Sequence, residues 1–382
     1  MVRQIVGSRA AALETVVLLR QVVASARFSK IEELLKLVRF IGKRLQGAQP
    51  HETSVGGIIR KVMKVIREEA AGVAGNLEPS SRSRSAIPKH LIEANFFLRS
   101  PHMASPMPVT KALPDPFFTE SSKKAIAMKP ALIDAIQEVI NELETVYENV
   151  AKNAREYIHP EEIVLTVGKS KTVEAFLKAA SKDRKFSVIV AETAPSYSGR
   201  EMAAALAAAK ISTVLVPDSA LFAVMSRVNK VVLGAHSIQK NGGVFSVAGS
   251  ALAAMAARAH STPVLICGGQ FKLTPTWNAH QQYSSRDIGN PEDVLPSTDP
   301  FVPEDVDIIN PWYDWISPEF IDVLVTNYGD HPPAYVYRYV TLTSSIGYVL
   351  INMPVDLWRT TMMPWMTRWT SLVRQVLSHY HP

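Results

Sequence analysis

Cysteine is nearly absent: Cys267 is the single thiol among 382 residues. An internal disulfide is therefore excluded, which fits a reducing compartment. Uninterrupted apolar runs of about 18 residues are missing too, so no membrane-spanning helix is expected. Arg3, Arg9 and Glu14 break any early apolar stretch, and no signal peptide is predicted. These absences point to a cytoplasmic protein. Nor does the chain hold a G-x-G-x-x-G fingerprint, a nucleotide P-loop spacing or a Cys/His zinc spacing, so neither cofactor nor metal is expected.

What is present suffices for a large core, with 47% hydrophobic residues. The net charge of +6 is unevenly placed. Residues 1–90 hold 16 Lys+Arg against 7 Asp+Glu, a net of +9, and the rest of the chain is net −3. A basic N-terminal part attracts an acidic protein, a phosphorylated protein or RNA, or is an ordinary solvated helical surface.

The period of the apolar residues divides the chain. Residues 1–71 read as a helical domain. Ile31, Leu34, Leu35, Val38, Ile41 and Leu45 share one helical face, as do Val55, Ile58, Ile59, Val62 and Ile66. A weaker helix is expected over Ala10–Val23, and Thr53 or Ser54 can cap the helix that follows Pro50. Residues 72–128, with their prolines and a short serine-arginine run at 80–85, read as a flexible loop. The run is too short to argue for direct nucleic-acid binding. Residues 129–158 read as one long helix joining the halves.

From 159 to 340 the pattern becomes strand-like. Apolar runs recur at Ile163–Val167, Ser187–Ala191, Ile211–Val216, Lys230–Gly234, Pro263–Cys267 and Asp322–Thr326. Helices are expected between them at Val173–Ala180, Arg200–Ala209, Leu221–Arg227 and Phe245–His260. Strands too apolar to alternate, separated by helices, imply a parallel sheet covered on both faces. The fold class is thus α/β: an N-terminal helical domain followed by a Rossmann-like, doubly wound, mostly parallel sheet.

Candidate chemistry sits at the ends of these strands. Gly168, Lys169 and Ser170 could cradle a phosphate at a helix N-terminus. Glu192 and Arg200 follow the second strand, and either can serve structure alone. His236 follows the fourth strand and is the natural acid–base candidate, though a lone histidine at a strand tip is more often a hydrogen-bonded structural residue. Cys267 ends an apolar strand and reads as a core thiol.

Several segments carry a family resemblance. Val188-Ile-Val-Ala-Glu-Thr-Ala-Pro195, Gly199-Arg-Glu-Met202, Phe222-Ala-Val-Met-Ser-Arg-Val-Asn229 and Asn241-Gly-Gly243 resemble the superfamily of methylthioribose-phosphate and ribose-bisphosphate isomerases. That superfamily includes the regulatory subunits of eukaryotic translation initiation factor 2B. Gln49-Pro-His-Glu-Thr53, Ile59–Glu69, Thr172-Val-Glu-Ala-Phe176, Phe271-Lys-Leu-Thr-Pro275 and Tyr335-Val-Tyr-Arg338 resemble the beta type of those subunits. The likeness covers roughly residues 10–70 and 130–340.

The resemblance implies where chemistry would lie. The isomerases use a cysteine after the first strand and an aspartate in a Gly-Ala-Asp segment. Here those positions read Gly168 and His236. Glycine cannot transfer a proton, and aldose–ketose isomerisation needs placed acid–base groups, so a scaffold without catalysis is expected. The resemblance further implies a subunit of a guanine-nucleotide exchange factor acting in translation initiation and the integrated stress response. Its partners would be delta, gamma, epsilon and alpha subunits in a hetero-decamer, and initiation factor 2 through its own alpha subunit. It also marks a subunit-interface pocket at His159, Glu161, Ser187 and Ile189, although Glu161 and Ser187 depart from the expected types. An active phosphosugar isomerase using His236, Glu192 or Cys267 is the alternative.

The C-terminus departs from the pattern. Beta-type subunits pass almost directly to a tail with Tyr-His-Pro, which here is Tyr380-His-Pro382, within 377–382. Residues 341–376 intervene, with Trp358, Trp365 and Trp369 but a single acid, Asp356. They read as an insertion foreign to the fold, either translated unspliced sequence or a lineage-specific insert.

Overall fold

The computed structural model describes residues 7–28, 30–48, 52–75, 128–277, 288–298 and 306–343. Among the described residues four helices form the first half: α1 (Ser8–Ser25), α2 (Ile31–Ala48), α3 (Thr53–Gly75) and α4 (Lys129–Lys152). The apolar stripe of α3 (Val55, Ile58, Ile59, Val62, Ile66) is buried against α1 and α2. Its burial follows from 3.6-residue periodicity, and each such side chain contributes roughly 1.5–3 kcal/mol on leaving water. Pro130 starts α4, where its missing N–H costs nothing. Leu132, Ile136, Val139, Ile140 and Leu143 of α4 complete the same cluster, and Phe271 reaches it from the other half. A one-turn helix, α5 (Ala154–Tyr157), leads into the sheet.

The second half alternates strand and helix: β1 (Ile163–Val167), α6 (Lys171–Ala180), β2 (Ser187–Ala191), α7 (Ser198–Ala208), β3 (Ser212–Val216), α8 (Leu221–Met225) and β4 (Lys230–Gly234). Then come β5 (Ser237–Gln239), β6 (Val244–Val247), α9 (Ser250–Ala259), β7 (Val264–Cys267), β8 (Leu273–Thr274), β9 (Tyr313–Ile316), β10 (Val323–Thr326), β11 (Gly329–His331) and α10 (Pro333–Thr343). The main sheet runs β11-β10-β7-β4-β1-β2-β3, parallel except for β11. Leu165, Val231, Leu233 and Ile266 face α8 and α9, whereas Val164, Val232 and Leu265 face α6 and α7. Two buried faces explain why these strands do not alternate with polar residues.

Strand order reverses between β4 and β1, which makes the crevice at their carboxyl ends the switch point of the sheet. A small second sheet, β8-β5-β6-β9, closes over that crevice.

The structure corrects the helix expected over Phe245–His260. Val244–Val247 is a strand paired with β5 and with Tyr313–Ile316 of β9. Gly249 at φ +93° then breaks the chain direction before α9 begins at Ser250. The Ser54 hydroxyl does not cap its own helix; it donates to the Ser8 carbonyl at 3.1 Å and to Glu52. Helix α3 continues to Gly75, past the boundary at 71. Residues 76–127 of the loop and all of the insertion beyond Thr343 lie outside the described residues.

Candidate functional site

A cavity of about 570 Å³ opens at the switch point. Val167 and Lys169 line it on either side of Gly168, and Gly234, Ala235 and His236 line it from the end of β4. Ser8 and Arg9 of α1 and Tyr147 of α4 close it from the helical half. The two positions that the isomerase likeness marks therefore flank one pocket.

Gly168 has φ +63°, a left-handed backbone that favours glycine. A Cβ there would stand 2.9 Å from Val247 Cγ1 and 3.2 Å from Ser198 Oγ. The thiol is thus not merely missing; the loop has adopted a path that no side chain fits without strain. The backbone N–H of His236 donates to the Phe245 carbonyl at 2.8 Å. The imidazole stacks on Tyr313 with centroids 4.0 Å apart, and Ser8 Oγ lies 3.4 Å from Nδ1.

The other acid–base candidates are not brought here. Glu192 accepts from Arg200 Nη2 at 3.0 Å, so these two residues pair with each other. Cys267 is fully buried in the sheet, and burial pushes its thiol well up, away from thiolate chemistry. Neither lines the cavity. Ser170 caps α6 by accepting from the Val173 N–H at 3.5 Å, and Lys169 pairs with Glu201 at 2.6 Å. Two of the three residues of the supposed phosphate cradle are therefore already engaged. The carboxylate of Asp314 likewise accepts from the Gly249 and Ala251 amides at 2.7 and 3.2 Å, filling the start of α9. No metal cluster of His, Cys, Asp or Glu exists among the described residues.

Sequence reasoning missed three contributors. Arg9, Tyr313 and Lys272 all line the cavity. Lys272 sits in the Phe-Lys-Leu-Thr-Pro run that carried part of the family likeness, but 36 residues from His236, so no local spacing placed it in the site.

Of the four expected interface residues, His159, Glu161 and Ser187 lie at the opposite, amino edge of the sheet and Ile189 in the middle of β2. Ser187 pairs with Ile163, and Ile189 with Leu165, on adjacent strands. Glu161 takes φ +63° and donates its N–H to the Lys185 carbonyl at 2.7 Å. The His159 N–H donates to Glu162 at 2.8 Å, and its Nδ1 accepts from Arg184 at 3.1 Å. Lys230 secures this corner by donating to both Glu162 oxygens, at 2.8 and 3.0 Å, and to the Tyr157 carbonyl.

Comparison with known proteins fits this arrangement. The initiation factor 2 subunit family matches residues 4–333. Translation initiation factor eIF2B subunit beta of Schizosaccharomyces pombe is 38% identical over 359 residues, covering 88% of this chain and 91% of that protein. A ribose 1,5-bisphosphate isomerase of Pyrococcus furiosus is 30% identical over 209 residues, covering 54% and 64%. A chain of the tetrameric eIF2B-beta2-delta2 complex from C. thermophilum superposes with a TM-score of 0.63 at 27% identity, covering 89% and 90%. The chain belongs to the initiation factor 2 subunit family and, within it, to the beta-type regulatory subunits of translation initiation factor eIF2B.

Proposed function

We propose that this chain holds its place in the exchange factor through its α/β half and helps bind initiation factor 2 through its helical half. The observation that carries the non-catalytic part is the cavity itself. Among the described residues its lining holds no carboxylate, and the position after β1 is a left-handed glycine. Neither the cysteine nor the aspartate that the isomerase likeness calls for stands at its position, Gly168 or His236. The named relative in a beta2-delta2 complex supports a delta subunit as the direct neighbour. Gamma, epsilon and alpha subunits complete a cytoplasmic hetero-decamer in this reading. His159, Glu161, Ser187 and Ile189 form a pocket between subunits.

The helical half supports the second part. Its +9 balance over residues 1–90 suits an acidic or phosphorylated face on the alpha subunit of initiation factor 2. Among the described residues no helix is long and apolar enough to cross a membrane.

Purification of the assembly through this chain, followed by native mass spectrometry, tests the reading. The expected masses include delta, gamma, epsilon and alpha subunits with two copies of each. A chain recovered alone or as a homo-oligomer, from cells that express a delta subunit, overturns it. Of the three residues considered for an isomerase, Glu192 and Cys267 lie outside the cavity and His236 lines it.

A further inference from the structure

A second cavity, of about 470 Å³, opens between α3 and the C-terminal elements, and among the described residues it shares no lining with the first. Arg60, Lys61 and Lys64 recur at helical spacing, so one edge of α3 supplies a wall. Tyr328, in the turn between β10 and β11, and Tyr335 of α10 line it as well.

Among the described residues this lining sets Arg60, Lys61 and Lys64 against one carboxylate, Glu68. Arg60 Nη2 donates to the Leu273 carbonyl, a neutral acceptor, at 3.4 Å. Lys64 meets Glu68 at 3.6 Å on the surface, where such a pair is weak and open to a second carboxylate. Lys61 is the firmly held one, bound by Glu142 of α4. Tyr328 and Tyr335 are 58% and 40% exposed, large rings turned partly to water. Exposed tyrosines beside an arginine have the make-up of a protein interface rather than of ordinary surface.

The walls are fixed in advance. A Cβ on Gly57 would stand 2.5 Å from the Phe271 carbonyl oxygen, so α3 rests directly on that segment. Asn327, next to Tyr328, donates to Glu142 at 3.2 Å and accepts the Gln270 N–H at 2.9 Å. Glu142 thus ties Lys61 and the Tyr328 turn together. A preformed groove pays little ordering entropy on binding. We infer that this groove docks a short acidic segment of a partner protein. Carboxylates of the segment meet Arg60 and Lys64, and an aromatic or aliphatic side chain packs on Tyr328 and Tyr335. The volume takes a few side chains and not a folded domain. The surface lies apart from the switch-point cavity, and the inference does not rest on the proposed function.

A dye-labelled synthetic peptide, Glu-Asp-Phe-Asp-Leu-Glu, is the probe, followed by fluorescence anisotropy on the full chain. It should bind at least about tenfold more tightly than Lys-Lys-Phe-Lys-Leu-Lys, and rising ionic strength should weaken it. Arg60→Glu combined with Lys64→Glu should weaken binding by about tenfold or more. Tyr328→Ala should weaken it several-fold, whereas Lys36→Glu, on the exposed face of α2, should leave it unchanged. The comparison of the two peptides needs no variant, so the test stands even where a variant folds poorly. Equal affinity for the two peptides, tighter binding of an oligouridylate of the same length, or binding unmoved by the double charge reversal overturns the proposal.

Discussion

Gly199→Ala should destabilise the α/β half by about 3 kcal/mol or more, near the top of what overpacking costs. Gly199 is the second residue of α7 and rests directly on the end of β2. A Cβ there would stand 1.8 Å from the Ala191 carbonyl oxygen and 2.9 Å from Glu192 Cα. These are backbone atoms, so no side chain can swing away. Ala191 is also pinned on both sides, by Val167 of β1 and Val216 of β3. The helix must move off the sheet, and the Gly199 N–H bond to the Glu192 carbonyl, now 3.1 Å, goes with it. Denaturant unfolding measures the change. A midpoint equal to that of the unsubstituted chain would show that the contact is not as close as described.

Lys230→Met should cost a similar amount, about 3 kcal/mol, for a different reason. Lys230 and Glu162 are only 14% and 17% exposed and meet at 2.8 Å. Removing the lysine leaves a carboxylate mostly out of water without its counter-ion, which is more costly than never having had the pair. Lys230→Met combined with Glu162→Gln should recover part of the loss, as coupled neighbours do. The first consequence is local. Glu162 also accepts the His159 N–H, so amide exchange over residues 158–162 should rise before the rest of the sheet responds. An additive double variant would mean that the pair contributes nothing.

The sheet was legible because each buried strand is a short apolar run between turn residues. Ile163–Val167, Ser187–Ala191 and Lys230–Gly234 have the bounds their composition predicts. The second sheet was not. Its strands span two to four residues, and β9 lies 66 residues beyond the end of β6, so no local period announces the pairing. Phe245–Val247 falls within the expected helix for that reason; the strand's partner, Tyr313–Ile316, supplies the hydrogen bonds that propensity cannot foresee.

The candidate site shows the same division. Gly168 and His236 were placed by family likeness, and the fold sets them around one cavity. What closes that cavity comes from afar. Ser8 meets His236 across 228 residues, and Tyr313 supplies the stacking face. The left-handed angle at Gly168 is also invisible in a sequence, yet it turns a missing thiol into a site that cannot simply be refitted with one.

The central claim is that the isomerase scaffold persists here without its chemistry. Steady-state turnover of methylthioribose 1-phosphate and of ribose 1,5-bisphosphate by the purified chain tests it most directly. The expected rate for both is that of buffer alone. Turnover above that rate, lost on His236→Ala, would contradict the account.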